Sequence, residues 1–242
     1  MVYDAIRSSI VSKRVAPGTV VAETSLAARL NVSKTPVREA LLRLRSIGLV
    51  EPDGGGGLRV VSPSEVSIRE AYDVRLVLEQ GLARRAAELA SPAERGEILD
   101  AAKRSLQCAE AGDIADGFRG WDYAFHRAIS RAAHNARLAR IAEDAAVFAT
   151  VLRDRDVPDV EDAVQCGRQH VDIAQGICSS DPEAAARGSN VHVNSVRDMV
   201  LATFNDQYAS RGLRANNVTE PPSAEDGGWR ETRQTKQVVV PR

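Results

Sequence analysis

Four side chains in the second half of this chain are of the types that bind a divalent ion: Asp122, His126, His170 and His192. Asp122 and His126 are four residues apart. On a helix that spacing puts both on one face about one turn apart, within reach of a single ion. His170 and His192 fall in two later segments, each rich in apolar residues. Three imidazoles and one carboxylate suit zinc, nickel, cobalt or manganese better than calcium or magnesium, which prefer mostly oxygen ligands. Spacing does not establish convergence, so each histidine also reads as a satisfied core or surface residue. The fourth, His134 in Ala-Ala-His-Asn-Ala, reads as a helix end and is left out of the set.

A second group is suited to a polyanion. Between Leu26 and Val50 lie Lys34, Thr35, Arg38, Glu39, Arg43 and Arg45, a row of donors for phosphates and for guanine edges in a major groove. The same row also reads as a solvated basic helix. Its charge balance favours the first reading. Residues 1–62 hold nine Lys and Arg against five Asp and Glu, a surplus of four, so the remainder carries −5 in a chain of net charge −1. A basic head on an acidic body is expected when only one domain touches nucleic acid.

The elements that must carry these residues follow from periodicity. Leu26, Ala27 and Leu30 form one apolar stripe and Val37, Ala40, Leu41 and Leu44 a second at helical spacing, with Asn31-Val32-Ser33 as the turn between them. Ser33 is placed to cap the second helix, and Pro36 lies in its first turn. Glu51-Pro52-Asp53, the glycine run Gly54 to Gly57 and Leu58-Arg59-Val60-Val61 then predict a β-hairpin wing. Met1 stands almost on the first helix, so the start is expected to be short or that helix frayed.

From Ser67 to Gly212 the pattern is helical, with segments expected near 67–90, 92–111, 113–133, 136–153, 160–179 and 182–210. Ser91-Pro92 and Asp181-Pro182 are helix starts, and 156–159 is a break. Strand signals are absent there, so the fold class is mainly α: a winged helix-turn-helix over 1–63, an all-helical bundle over 64–212, and a polar tail at 213–242 expected to be disordered. Phe118, Trp121, Tyr123 and Phe125 are read as core packing. No run of about 18 apolar residues is present to span a membrane. The N-terminal residues lack the apolar core of a signal peptide, which implies a cytoplasmic address. Cys108, Cys166 and Cys178 are widely spaced and are expected to be free, mostly buried thiols.

Both halves resemble the GntR-type transcriptional regulators of the FadR-like branch, whose second domain is the all-helical FCD domain. The matching pieces are Ala16-Pro17-Gly18-Thr19, Leu26-Ala27, Val32 to Leu41, Leu44 and Gly48-Leu49-Val50 in the head. In the body they are Arg75 with Glu79, Asp122 to His126, Asn135 with Leu138, His170 with Ile173, Asp181 and His192. The resemblance implies a homodimeric repressor that binds a short palindromic operator and is released by a small carboxylate metabolite. It also implies that Asp122, His126, His170 and His192 hold a divalent ion that helps bind this effector, sugar acids and hydroxy acids being the fitting class.

Arg75 is then an effector-binding candidate, its alternative reading being an i,i+4 surface ion pair with Glu79, and Arg119 is a weaker one. For DNA, Lys34 and Arg38 are assigned to base edges or adjacent phosphates, Ser33, Thr35 and Arg43 to the backbone, and the wing near Gly57 to the minor groove. Lys34 and Thr24 stand where relatives have arginine, and lysine cannot make the planar fork to guanine. The linker at Ser62-Pro63-Ser64 is expected to couple the halves. Two other classes compete: a regulator that senses the ion itself, and a metallohydrolase. The latter lacks a glutamate base like that of an H-E-x-x-H helix and would have no use for the head and wing.

Overall fold

The computed structural model describes residues 1–153 and 158–210. The tail expected to be disordered lies outside the described residues. The chain forms two compact units, one of Met1–Ser62 and one beginning at Pro63.

In the N-terminal unit, α1 (Val2–Val11), α2 (Glu23–Leu30) and α3 (Lys34–Ser46) enclose Ile6, Ile10, Leu26, Val37, Leu41 and Leu44, all buried. The first helix is a full ten residues, held by Ile6 and Ile10 against that core, rather than frayed. Asn31, in the left-handed region at φ 52°, ends α2 and turns the chain into α3. Ser33 occupies the N-cap position of α3, yet its side chain makes no capping hydrogen bond, so the expected cap is positional only.

The wing forms as expected, β2 (Val50–Pro52) pairing antiparallel with β3 (Leu58–Val60). A short strand that sequence did not indicate, β1 (Val20–Val21), pairs with the other edge of β3 and gives the order β1-β3-β2. Two residues are too few for a period-2 signal to emerge. Asp53 orders the wing tip: its Oδ1 accepts from the Gly55 and Gly57 N–H groups, each at 2.8 Å, and those bonds hold its carboxyl below the usual range. A Cβ on Gly57 would come within 2.6 Å of Asp53 Oδ2, so a larger residue there would require the Asp53 carboxylate to shift.

The second unit contains α4 (Glu65–Leu89), α5 (Pro92–Glu110), α6 (Arg119–Ala132), α7 (Ala136–Val151), α8 (Val160–Cys178) and α9 (Pro182–Ser210). Ser64 caps α4 by accepting from Ser67 N–H, which moves its start two residues before the expected one. Ser91 and Asp181 cap α5 and α9 as expected. The single helix expected over 113–133 is instead a π-helical turn, Ile114–Phe118, capped by Asp113 and followed by α6. That turn delivers Phe118 to the interior.

The core is mostly alanine, with Leu82, Ile98, Phe125, Ile129, Ile173 and Ile177 among Ala83, Ala86, Ala87, Ala102, Ala132 and Ala174. Small residues let helices close in. Cys166 is buried while Cys108 and Cys178 are only half-buried, and all three thiols are free. Tyr123 departs from the expected aromatic core and is exposed. Among the described residues no helix is long and apolar enough to cross a membrane.

Two glycines of this unit respond to packing in opposite ways. A Cβ on Gly176 would lie 2.6 Å from the Ala185 backbone nitrogen, whereas one on exposed Gly96 in α5 meets nothing within 4 Å. Gly176→Ala should destabilise the helical unit by about 1–3 kcal/mol through overpacking. Gly96→Ala should stabilise it by about 0.5–1 kcal/mol. Urea unfolding followed by circular dichroism checks both signs.

Candidate functional site

His126 on α6, His170 on α8 and His192 on α9 converge: one ring nitrogen from each lies within 4.8 Å of the other two. Asp122, one turn before His126, brings Oδ1 to 3.7 Å from His126 Nε2 and 3.5 Å from His170 Nε2. The four residues drawn together by sequence are therefore neighbours in space. Phe125 stacks on His170 with ring centroids 4.3 Å apart, and Phe118 lies parallel to the same ring at 6.4 Å.

The hydrogen bonds on the far sides of the rings decide which nitrogen carries the proton. Ser105 donates its only proton to the Ala102 carbonyl at 2.8 Å, so its oxygen accepts from His170 Nδ1 at 3.0 Å. Gln169 Oε1 stands 3.1 Å from His192 Nδ1, and Glu79 Oε2 stands 3.5 Å from His126 Nδ1. In His170 and His192 the outer nitrogen thus faces a hydrogen-bond acceptor, which leaves Nε2 of these two rings for the shared space. His170 Nε2 is buried with no hydrogen-bond partner, the one such side-chain atom among the described residues.

Electrostatics keep the rings in the form that coordinates a cation. Burial pushes His170 down to about 3 and His192 well below its ordinary value, so both are neutral near pH 7. Desolvation alone would raise Asp122, but the pull of nearby positive charge, Arg153 and Arg75 included, outweighs it and holds the carboxyl low. Neutral imidazoles, an ionised carboxylate and an orphaned buried nitrogen fit a borderline divalent ion. Cys166 also lines the cavity, but burial pushes its thiol up to about 12, so it offers no thiolate.

His126 and His192 line a cavity of about 1040 Å³ together with Arg75, Arg119, Asp122, Tyr123, Thr150 and Arg153, and His170 lies buried behind them. A volume near the top of the usual ligand-pocket range admits a small metabolite. Arg75 is paired with Glu79 at 2.7 Å, as the alternative reading had it, but the pair is buried rather than on the surface. Burial opposes the charge on both partners, and their mutual attraction overrides it, raising Arg75 and lowering Glu79. Arg119 is an exposed residue of the lining. Arg153 donates to the Tyr72 hydroxyl at 3.0 Å.

Ser105, Gln169 and the inward role of Glu79 were not singled out from sequence. A signal existed for two of them. Ser105 interrupts the apolar stripe Ile98, Ala101, Ala102 and Ala109, and Gln169 is buried beside Cys166 and Ile173. A polar residue inside an apolar stripe is the informative kind. Arg153 and Tyr72, 81 residues apart, gave none.

On the N-terminal unit, Ser33, Lys34, Thr35 and Arg38 are exposed at the start of α3 and Arg43 in its last turn, and Gly54 to Gly57 are exposed at the wing tip. Arg38 is held in a two-pronged pair by Glu23, and the Arg43 guanidinium sits 4.1 Å from the centre of the Tyr3 ring.

Family comparison agrees with both units. Residues 1–60 match the model of bacterial regulatory proteins of the gntR family, and residues 70–195 match the FCD domain. The chain belongs to the GntR family. Its helical unit is an FCD domain, and the protein is a DNA-binding transcriptional regulator rather than an enzyme. It is 34% identical to the "Probable D-xylose utilization operon transcriptional repressor" of Paenarthrobacter nicotinovorans, over 79% of this chain and 84% of that one. It is 28% identical to the gluconate operon transcriptional repressor of Bacillus subtilis, over 88% and 89%. The fold is also that of E. coli McbR/YncC, with a TM-score of 0.67 and 18% identity, over 84% of this chain and 97% of that one.

The hydrogen bonds behind the rings of this GntR regulator can be tested by themselves. Ser105→Ala removes the acceptor for His170 Nδ1 and should weaken binding of added Zn²⁺ or Ni²⁺ about 10–100-fold, as loss of an outer-shell partner usually does. Competition against a chromophoric chelator measures this.

Proposed function

We propose that this GntR regulator is a homodimeric repressor of a palindromic operator, released when a small carboxylate enters the FCD cavity beside a divalent ion on Asp122, His126, His170 and His192. One observation carries the reading: three imidazole nitrogens converge, that of His170 wholly buried and unpartnered, and two of the rings, His126 and His192, line with Asp122 a ligand-sized cavity next to Arg75 and Arg153. Such an ion would supply positive charge and open coordination positions for a carboxylate. Arg75 and Arg119 are the candidate partners for the remaining polar groups of the ligand. Relatives named for a D-xylose and a gluconate operon make sugar acids the first class to screen.

On the DNA side, Lys34 and Arg38 are assigned to base edges or adjacent phosphates, Ser33, Thr35 and Arg43 to the backbone, and the wing at Gly57 to the minor groove. Exposure of all six supports this. The glycine tip carries no side chain to keep it from a narrow groove. Coupling between the units is assigned to the Ser62-Pro63-Ser64 linker.

Elemental mass spectrometry of purified protein tests the centre. Wild type should hold about one divalent ion per chain, and the His126→Ala/His170→Ala double variant should hold none. If neither form binds metal after reloading, the centre is structural and the proposal fails. Metal alone altering operator affinity would instead identify the ion as the signal. On the DNA side, Arg38→Ala should cost about 1–3 kcal/mol on a specific operator. Unchanged affinity in a gel-shift titration would remove Arg38 from the interface.

A further inference from the structure

Glu23 opens α2 and reaches across to α3, where both of its oxygens take Arg38. Oε1 accepts from Nε and Oε2 from Nη2, each at 3.0 Å. The two residues are 15 apart in sequence, so the fork ties the first turn of one helix of the helix-turn-helix to the second turn of the other. The pair is open to solvent, with side-chain exposures of 67% for Arg38 and 32% for Glu23. Exposed pairs of this kind contribute little to stability. A carboxylate beside a residue that meets DNA also repels phosphates and weakens binding to any duplex. A contact that adds little stability and opposes DNA affinity calls for another reason.

The reason lies in how the guanidinium is divided. It has five N–H donors in a planar fork. Glu23 takes Nε–H and one Nη2–H along one edge. The end of the group, Nη1 with the second Nη2–H, keeps a pair of donors of the kind that reads guanine O6 and N7 or grips a phosphate. A free arginine on an exposed helix samples many rotamers and loses that freedom on binding. One already clamped at its side edge presents its end edge in a single place.

We propose that Glu23 is a positioning residue for sequence readout: by occupying one edge of the Arg38 guanidinium, it fixes where the opposite edge meets DNA. The inference rests on Arg38 contacting DNA, as proposed above. Its signature is a split effect. Removing Glu23 weakens discrimination between sequences while leaving binding to arbitrary DNA unchanged or tighter, because a repulsive charge is lost with the clamp.

The test uses the full chain, a duplex selected by the wild-type protein from a random library, and a scrambled duplex of the same length and composition. Glu23→Ala should reduce the ratio of selected to scrambled affinity about tenfold, the loss lying in the selected duplex. Glu23→Gln keeps the side-chain size and one acceptor without the charge, so it should lose less of the ratio; should the alanine variant fold poorly, any fall in this ratio carries the test. In an Arg38→Ala background, Glu23→Ala should change the ratio no further. If Glu23→Ala tightens both duplexes equally and leaves the ratio intact, Glu23 only sets local charge and the proposal is overturned. If Arg38→Ala itself keeps the wild-type ratio, the assignment of Arg38 to DNA has failed instead, and the proposal falls with it.

Discussion

The helical unit is organised around the problem of burying imidazole rings in a core made largely of alanine. A neutral histidine carries one donor and one acceptor, and the apolar interior offers neither. The bundle answers with three fixed partners, Ser105 behind His170, Gln169 behind His192 and Glu79 beside His126, each on the outer nitrogen. The inner nitrogens then face a common space, and burial keeps at least His170 and His192 uncharged so that they can share it. Close helix packing makes this convergence possible. Gly167 of α8 sits where a Cβ would be 2.7 Å from the Leu106 Cα of α5, and Gly176 where one would strike the backbone of α9. Bulkier residues at either position would push α8 away and draw His170 out of register with its neighbours.

Much of this was legible in sequence because it rests on period and on end chemistry. The apolar stripes of α2 and α3, the capped starts of α5 and α9 and the glycine turn of the wing are local rules, and each element formed within a few residues of its expected bounds. The i,i+4 pair Asp122 and His126 was equally local. Convergence with His170 and His192 was not derivable from spacing, since nothing in a single helix says how its neighbours pack. The resemblance to the GntR family supplied it.

What sequence missed has a common physical character. Strand β1 owes its existence to the exposed edge of β3 rather than to any pattern of its own. The π-helical turn at Ile114–Phe118 sits inside a run whose composition reads as continuous helix. Arg75 and Glu79 show the same gap from another side: i,i+4 spacing identified the pair, but not that the cavity encloses it. Tertiary context decides such cases, whether by hydrogen bonding a strand or by removing an ion pair from water.

The N-terminal unit shows that a surplus of positive charge is not left loose on the surface. Arg38 is forked by Glu23, Arg59 is paired with Glu51 at 2.8 Å, and Arg43 lies over the Tyr3 ring. Each restraint has a cost in affinity for DNA at large, because an acid nearby repels phosphates and a stacked guanidinium must be moved or approached from one side. A protein selected only for tight binding would shed these partners. One that must find a short site among a vast excess of other sequence gains from them, since non-specific binding falls with the net field while a preset donor geometry favours the right base edge. On the proposed reading Glu23 is thus part of how this unit discriminates, and a modest surplus of four charges fits recognition by geometry more than by attraction.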